Sequence, residues 1–412
     1  MVNKTKPHLW IFNHYAVTPD LPGATRHFDF GRELVKRGYQ VTVFAADFNH
    51  LLLQPNMKLG PRKKWKLENV DGVNFVWLKT FSYQQNNWRR IINICSYFLQ
   101  ASLVSDKIAK KIGRPDVIIG STVHPLAPLL ALRLAKKFQA KFIGEIRDLW
   151  PQSLQEMGVL SRKSLTTIIL HWLNRLIYPR AKEIIVLSPT INEYLLSIGC
   201  LPEKIHIIPN GVDLNYYPVE SNIKASKKFT VLYAGALSLI HALEPALEAA
   251  KIIQEQNIDN IQLVMVGSGP QKTRLEQLIR DWQLTNVSLE PAVPKQDIPK
   301  LLLGADALLL MENNLIYGSS NKLMTYLAAG KPIIFSTFVD NKPLAQYNIV
   351  KDVNCGLVTS SQDAKKLAET IIQLYRLSKS DREQMGARGR AYAEAHHAIP
   401  LLVDQLEPLL TN

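Results

Sequence analysis

Along most of the chain, short runs of consecutive apolar, often β-branched residues alternate with longer stretches whose apolar positions recur at helical spacing. In the first half the strand-like runs are Leu9–Phe12, Val41–Ala45, Val117–Gly120, Lys141–Glu145 and Glu183–Leu187. Helix-like segments lie between them at Thr25–Arg37, Pro125–Lys137 and Lys163–Tyr178. Several of the strand runs are apolar without alternation. Such strands are buried on both faces, which predicts a parallel sheet covered by helices. The series then restarts. Phe229–Ala234, Gln262–Val266, Val287–Leu289, Ala307–Leu310 and Pro332–Phe335 read as strands, and Glu244–Gln254, Pro270–Trp282 and Asn321–Ala329 as helices. Gly330-Lys331-Pro332 closes the last of these helices and opens a strand, because glycine suits the helix C-cap and proline cannot continue the helix.

Two successive βαβ series predict an α/β chain of two doubly wound, Rossmann-like domains. The segment Tyr217–Lys228 is polar, contains proline and serine, and lacks apolar periodicity; it is the expected linker. The expected domains are therefore 1–216 and 217–396. A chain of 412 residues agrees with two domains rather than one. In open α/β sheets ligands bind beyond the carboxyl ends of the strands, so two such domains predict a site in a cleft between them.

The composition sharpens this. Hydrophobic residues make up 47% of the chain and charged ones 20%, which is enough apolar surface for two cores and excludes a disordered chain. The formal net charge of +14 points to anionic partners: nucleotides, nucleic acid or acidic lipid. No nucleic-acid motif or interleaved aromatic and basic patch accompanies it, so no nucleic-acid partner is expected. Cys95, Cys200 and Cys355 lie far apart, with neither metal-ligand spacing nor a disulfide framework, and fit a reducing compartment. The apolar stretch Leu9–Phe12 is too short for a secretory signal. The longest apolar run, Ile91–Val104, is interrupted by Asn93, Ser96, Gln100 and Ser102, whereas a transmembrane helix needs about 20 apolar residues. The expectation is a cytoplasmic protein without a membrane span. Asn86-Asn87-Trp88-Arg89-Arg90 followed by Ile91, Ile94, Tyr97 and Phe98, and then by Lys107, Lys110, Lys111 and Arg114, suggests peripheral docking on an anionic membrane surface. The alternative is a helix that buries its apolar side in its own domain.

The most informative stretch for chemistry runs from Tyr317 to Pro332. A small polar loop opens a helix there, and the backbone N–H groups at Ser319 to Lys322, with the positive end of the helix dipole, form an anion site, with Ser320, Asn321, Lys322 and Leu323 as the expected donor-binding residues. Lys322 adds a full positive charge, suited to a departing diphosphate on which negative charge develops. Gly267, in Val266-Gly267-Ser268-Gly269-Pro270, and Gly235, in Ala234-Gly235-Ala236, each follow a strand and would admit close approach of a ligand. Gly23 and Arg26 lie between the first strand and the first helix and could approach the diphosphate from the other side. His124 stands just past a strand end, and Glu145, Arg147 and Asp148 occupy the equivalent place after the next strand. Ionisable groups gathered at a strand end are costly unless paired or functional. The alternatives are an Arg147–Asp148 or Arg147–Glu145 structural ion pair, and a structural rather than catalytic role for His124.

At these residues the sequence resembles the retaining glycosyltransferases of family 4, which have a GT-B fold. It looks closest to a bacterial subgroup that transfers N-acetylated sugars such as N-acetylfucosamine during O-antigen or capsule assembly. The resemblance spans nearly the whole chain. It rests on the order of Gly23-Ala24-Thr25-Arg26-His27, the stretch Glu33 to Val43, Glu145-Ile146-Arg147-Asp148-Leu149-Trp150-Pro151, Leu187-Ser188-Pro189, Ile208-Pro209-Asn210-Gly211-Val212-Asp213 and Asn321-Lys322-Leu323 through Gly330-Lys331-Pro332.

The resemblance implies a donor held mainly by the second domain, an acceptor held by the first, and a last helix, 397–412, packing back on the first domain. It implies retention of configuration, with a donor phosphate oxygen helping to deprotonate the acceptor, and neither a divalent metal nor a cofactor beyond the UDP-sugar donor. His124 falls near the family's active-site histidine and Gly23 in its glycine loop. With Asp148, His124 is assigned to the reacting face, while Glu145 and Arg147 are assigned to the acceptor. The sequence also departs from the family. Thr325 stands where a ribose-binding carboxylate is expected, Tyr317 where a second carboxylate is common, and Ala236 and His241 lie in a region where many members carry an arginine and a lysine. The expected activity is transfer of an N-acetylated hexosamine-type sugar from a nucleoside-diphosphate sugar to a lipid-linked glycan, on the inner face of the plasma membrane. The alternatives are a non-catalytic partner of another transferase, for which Thr325 speaks, and a GT-B epimerase on the same class of donor.

Overall fold

The computed structural model describes residues 6–56, 59–60, 62–85, 88–156, 158–218, 227–238, 241–312, 320–337, 348–360 and 363–411. Contacts divide the chain into two compact units. One holds the described residues up to Asn210 together with those from Ile399 onwards; the other holds those from Gly211 to Ala398.

In the first unit eight strands form one sheet in the order Ile205–Ile207, Glu183–Val186, Lys141–Ile146, Val117–Ser121, His8–Phe12, Gln40–Ala46, Val73–Leu78, Trp65–Val70. All neighbours are parallel except Trp65–Val70, which runs antiparallel to Val73–Leu78. Every residue of His8–Phe12 is buried. Trp10 and Phe12 face one cover, with Tyr97, Leu130 and Ile177. Leu9 and Ile11 face the other, with Phe30, Leu34 and Leu402. The lack of alternation in this run has its cause here: both faces of the strand are covered, and each large side chain removed from water contributes about 1.5–3 kcal/mol.

The chain first leaves His8–Phe12 toward Gln40–Ala46 and later returns to place Val117–Ser121 on its other side. That reversal opens a crevice at the carboxyl ends of the two central strands, beyond Phe12 and Ser121. The helix Ile399–Thr411 begins with Pro400 in its first turn, where a missing N–H costs nothing. Arg37 Nη1 donates to Asp404 at 2.6 Å and to Glu407 at 3.1 Å, and the Tyr39 hydroxyl donates to Glu407 at 3.1 Å.

The second unit has a six-stranded sheet, wholly parallel, in the order Val287–Glu290, Ile261–Val266, Phe229–Ala234, Ala307–Met311, Ile333–Thr337, Gly356–Ser360. Its order reverses at Phe229–Ala234, so the crevice lies beyond Ala234 and Met311. The helix Asn321–Ala329 is capped at its start by Ser320, whose Oγ accepts the Leu323 N–H, and ends at Gly330 in the left-handed region at φ 63°.

Several expectations change. The hairpin of Trp65–Val70 and Val73–Leu78, turning on Asp71 and Gly72 at φ 48° and 85°, was not among the expected strands, although Asp-Gly is a hairpin signal. Ile205–Ile207 and Gly356–Ser360 were also not expected. Tyr217, placed in the linker, is buried, and its carbonyl accepts from Arg390 Nη1 at 2.6 Å; residues 219–226 of that stretch lie outside the described residues. On the helix Trp88–Ile112, Ile94 and Tyr97 face the core, so they cannot belong to a membrane-facing side. Asn86 and Asn87 lie outside the described residues, as does Tyr317. No helix of the described residues is long and apolar enough to cross a membrane.

Candidate functional site

In the first unit, His14 follows the strand His8–Phe12 and His124 follows Val117–Ser121, which brings both to the mouth of the crevice. His14 Nδ1 lies 2.8 Å from His124 Nε2. The His14 ring stacks on Tyr97 at 4.5 Å between centroids, and the Tyr97 hydroxyl is held by donating to the Phe44 carbonyl at 2.7 Å. Burial pushes His124 down to about 3, with repulsion from Arg90 acting the same way. Burial also drives His14 well below the usual histidine value, aided by repulsion from His124, His50 and Arg90. Both rings are therefore neutral near pH 7, and the bond between them carries a single proton. His14 Nε2 and His124 Nδ1 are buried without a protein hydrogen-bond partner.

A second network lies behind this pair. Asn13 Oδ1 accepts the Tyr15 N–H at 2.9 Å, which fixes the amide so that Nδ2 faces His27 Nδ1 at 3.0 Å. His27 Nδ1 must then be the acceptor, and Nε2–H donates to Glu145 Oε2 at 2.7 Å. Arg26 Nε donates to Glu145 Oε1 at 2.9 Å, and its other nitrogens donate to the carbonyls of Ile208 and Pro209. Burial works against the Glu145 charge, yet His27 and Arg26 hold the carboxyl well below the usual range.

This network corrects two expectations. Arg26, expected to approach a donor phosphate, is buried and spends its guanidinium on Glu145 and two carbonyls. Glu145, expected to bind the acceptor, is buried with both oxygens engaged. Glu145 is paired with Arg26, which chain order places far from it; neither ion pair considered for Arg147 is found among the described residues.

Arg147 and Asp148 stay nearer the surface. Their backbone N–H groups donate to Thr122 Oγ1 at 2.9 and 3.4 Å, and the Thr122 N–H donates in turn to the Glu145 carbonyl at 2.9 Å. This ties the His124 loop to the loop that carries them. Arg147 is half-buried, with its Nε buried and lacking a protein partner, and Asp148 is exposed. Gly23 lies in the loop ahead of the first helix at φ 146°, where a Cβ would come 2.8 Å from Val17 Cγ2.

In the second unit the expected groups converge. A Cβ at Gly267 would lie 1.9 Å from the Gly235 carbonyl oxygen, and one at Gly235 would lie 3.0 Å from Lys322 Cδ. Both glycines therefore permit a contact that a side chain would block. Lys322 Nζ stands 5.0 Å above the Tyr233 ring and 3.7 Å from Glu312 Oε1. His241 Nδ1 donates to the Met311 carbonyl at 3.0 Å, which leaves Nε2 facing Lys322 Nζ at 3.4 Å as an acceptor. Burial and the Lys322 charge push His241 down to about 3. Burial lowers Lys322 and raises Glu312, while the attraction between the two opposes both shifts.

Ser320 Oγ accepts the Leu323 N–H and donates to Glu312 Oε1 at 2.6 Å. Leu323 packs in the core and its N–H is taken by the cap, so its side chain is not a ligand-facing group. Asn321 opens the helix and is half-buried. Thr325 Oγ1 donates to the Lys322 carbonyl at 2.8 Å. A helix N-terminus, a lysine and two close-approach glycines at a sheet crevice can hold a phosphate group.

His14 and Glu312, like Asn13 and Tyr233, were not singled out from the sequence. His14 and Glu312 each follow within two residues of a wholly buried strand, and a polar residue in that place was the available signal. His27 was quoted only within the run Gly23–His27, and its bond to Glu145 is set by tertiary contact. Among the described residues no group of three or more His, Cys, Asp or Glu could hold a metal ion.

Comparisons with known proteins follow this division. Residues 23–216 match the family model Glycosyltransferase Family 4, and residues 219–392 match Glycosyl transferases group 1. A Salmonella typhimurium protein named for colanic acid biosynthesis glycosyltransfer, WcaL, is 27% identical over 201 residues, 48% of this chain and 48% of that protein. An Erwinia amylovora amylovoran biosynthesis glycosyltransferase, AmsK, is 24% identical over 44% of each chain. The chain thus matches about half the length of these two relatives. WbjE of Pseudomonas aeruginosa, named as a glycosyltransferase, is 23% identical over 81% of this chain and 84% of its own. Among solved structures, a sucrose-phosphate synthase from Thermosynechococcus elongatus superposes with TM-score 0.74 at 17% identity, covering 98% of both chains. WaaG, a glycosyltransferase of lipopolysaccharide biosynthesis, gives TM-score 0.68 at 16% identity, covering 98% of this chain and 100% of its own. These structures share the GT-B fold.

Proposed function

We propose that this chain, which belongs among the glycosyltransferases of GT-B fold, moves a sugar of N-acetylated hexosamine type from a UDP-sugar to a lipid-linked glycan during assembly of a surface polysaccharide. The observation that carries the reading is the second-unit crevice, where Lys322 and the start of the helix Asn321–Ala329 meet Gly235 and Gly267. The two family models support the reaction class, and the names of WcaL and AmsK support a surface-polysaccharide setting.

In this reading Lys322 and the helix N-terminus receive the donor diphosphate. The bond between the sugar C1 and the β-phosphate oxygen breaks, the acceptor oxygen bonds to C1 on the same face, and the acceptor proton passes to the departing phosphate. Fixed positive charge at that phosphate stabilises the transition state more than the bound donor. Neutral His124, oriented by His14, offers a hydrogen bond at the reacting face, which Asp148 shares, with Arg147 on the acceptor side. The acceptor places the work at the cytoplasmic face of a membrane.

A second reading, a non-catalytic partner of another transferase, is favoured by one observation. The Thr325 hydroxyl, which stands where a ribose-binding carboxylate is expected, is donated to its own helix. One experiment separates the two. Purified protein is offered UDP-N-acetylhexosamines and a lipid-linked glycan in detergent, with the product anomer read by nuclear magnetic resonance. Transfer with retention supports the enzyme. Undiminished UDP binding without transfer or hydrolysis supports the partner, and failure to bind UDP overturns the donor assignment in both.

A further inference from the structure

Most of the strongly exposed large apolar side chains among the described residues gather on one cover of the first sheet. On the helix Leu165–Ile177, Leu165 is 72% exposed and Trp172 59%, with Ile168 and Ile169 exposed between them. These four positions form one stripe at helical spacing, while Leu170, Leu173 and Ile177 bury the opposite side in the core. The helix Trp88–Ile112 repeats the arrangement. Trp88 is 62% exposed, Ile91 63% and Leu103 66%, against buried Ile94, Tyr97 and Val104.

Both helices pack on the helix Leu126–Phe138, so the two stripes belong to the same layer. Each helix leads into the amino end of a strand, Val117–Ser121 or Glu183–Val186, so each starts at the carboxyl end of the sheet. Trp88, Ile91, Leu165 and Ile168 therefore lie toward the same end as His14 and His124. Arg90 fixes one of them there, with its guanidinium 5.8 Å from the Tyr15 ring and 5.9 Å from the Trp150 ring.

The charge beside these stripes is mainly positive, with Asp106 paired to Lys137. Residues 158–177 hold Arg162, Lys163 and Arg175 and no acidic residue. Trp88–Ile112 holds two arginines and three lysines against the single acid Asp106. A second copy of this chain would bring like charge against like charge. An apolar stripe carrying tryptophan and bordered by basic residues instead matches the headgroup boundary of an acidic bilayer, where apolar groups enter the acyl region and cations meet lipid phosphates.

We propose that the outer stripes of Leu165–Ile177 and Trp88–Ile112 seat the first unit in the surface of an anionic bilayer, with the carboxyl end of its sheet turned toward a lipid-borne acceptor. The inference rests on the reading of a lipid-linked acceptor and moves the docking surface away from Ile94 and Tyr97.

The test is co-sedimentation of the full chain with phosphatidylcholine vesicles, with and without phosphatidylglycerol, in the absence of any sugar donor. The double variant Leu165→Ser, Trp172→Ser removes two exposed side chains without opening the core, and an unchanged melting temperature verifies this. Binding to the anionic vesicles is expected to fall on the order of tenfold or more in the variant, and to weaken with salt in the wild type. Wild-type transfer to a vesicle-borne acceptor should fall in parallel, while transfer to a water-soluble acceptor glycan is kept. Equal sedimentation of wild type and variant overturns the proposal. So does a wild-type dimer that the variant dissociates, because the occupant is then a second copy. Vesicle binding without transfer to any acceptor leaves the docking surface standing and removes the enzymatic reading instead.

Discussion

His14 Nδ1 and His124 Nε2 share one hydrogen bond of 2.8 Å between two buried, neutral rings. Whichever ring donates, the other accepts, so His14 sets which nitrogen of His124 carries a proton toward the crevice. His124→Ala is expected to lower kcat on the order of 100-fold while shifting the melting temperature little. His14→Phe, which keeps the ring stacked on Tyr97 but removes the bond, is expected to lower kcat less and to change the pH profile of turnover. Kinetics with parallel thermal melts decide it; a matched loss of activity and stability in both variants would make the pair structural.

The same burial makes stability depend on pH. A histidine whose folded value is lowered binds fewer protons folded than unfolded. Its stabilising effect is complete above the unfolded value, near 6.5, and is lost as pH falls toward the folded value, about 3 for His124, His50 and His241. Each contributes a slope of up to about 1.4 kcal/mol per pH unit within that window. Urea midpoints should fall steadily between pH 6.5 and pH 4 and be flat just above 6.5. Replacing His241 with Gln should make that fall shallower, and an unchanged slope would contradict its neutral burial.

Arg26 and Glu145 form the central ion pair of the first unit, with His27 as the second donor to the carboxylate. Removing one partner leaves a buried charge uncompensated, so Arg26→Ala or Glu145→Ala should cost about 3–5 kcal/mol in unfolding free energy. UDP affinity, measured by calorimetry where the variant remains folded, should stay within about twofold, since a structural pair acts through stability. Strong loss of UDP affinity with little loss of stability would restore Arg26 to the donor site.

Lys322 is expected to carry the main charge against the donor diphosphate. Lys322→Ala should weaken UDP binding by about 1–3 kcal/mol, the range of a charge-assisted hydrogen bond. Because Glu312 would then be buried without its cation, the double change with Glu312→Gln serves as the control for folding. Unchanged affinity in the double variant would remove Lys322 from the site.

Thr325 carries the last prediction. Its hydroxyl is already donated within the helix, so it offers a ribose at most an acceptor. Thr325→Glu should tighten uridine nucleotide binding by about 1 kcal/mol or more through charge-assisted contacts to the ribose hydroxyls. If the unmodified chain turns over its donor, the partner reading fails; if neither form does, the enzymatic reading fails.

The periodicity of the chain determined two sheets of mostly parallel strands. Runs such as Leu9–Phe12 and Ala307–Leu310 are apolar at every position, and only burial on both faces tolerates that. The Gly330 stop was legible as well, because it depends on local backbone geometry that neighbouring residues fix. Strand ends also announced where chemistry could gather, at Gly235, Gly267 and His124, and a helix start did so at Lys322. Tertiary structure alone decided which charged groups are spent. Arg26 and Glu145 lie far apart in the chain and meet only because the sheet brings their elements side by side, and that contact turns two expected ligand-binding groups into an internal ion pair. It also decided which side of Trp88–Ile112 faces the core. A helix with apolar residues nearly all round carries no signal of its own for choosing between Tyr97 and Leu103. The choice is made by whichever side the strand Gln40–Ala46 and the helix Leu126–Phe138 are there to cover.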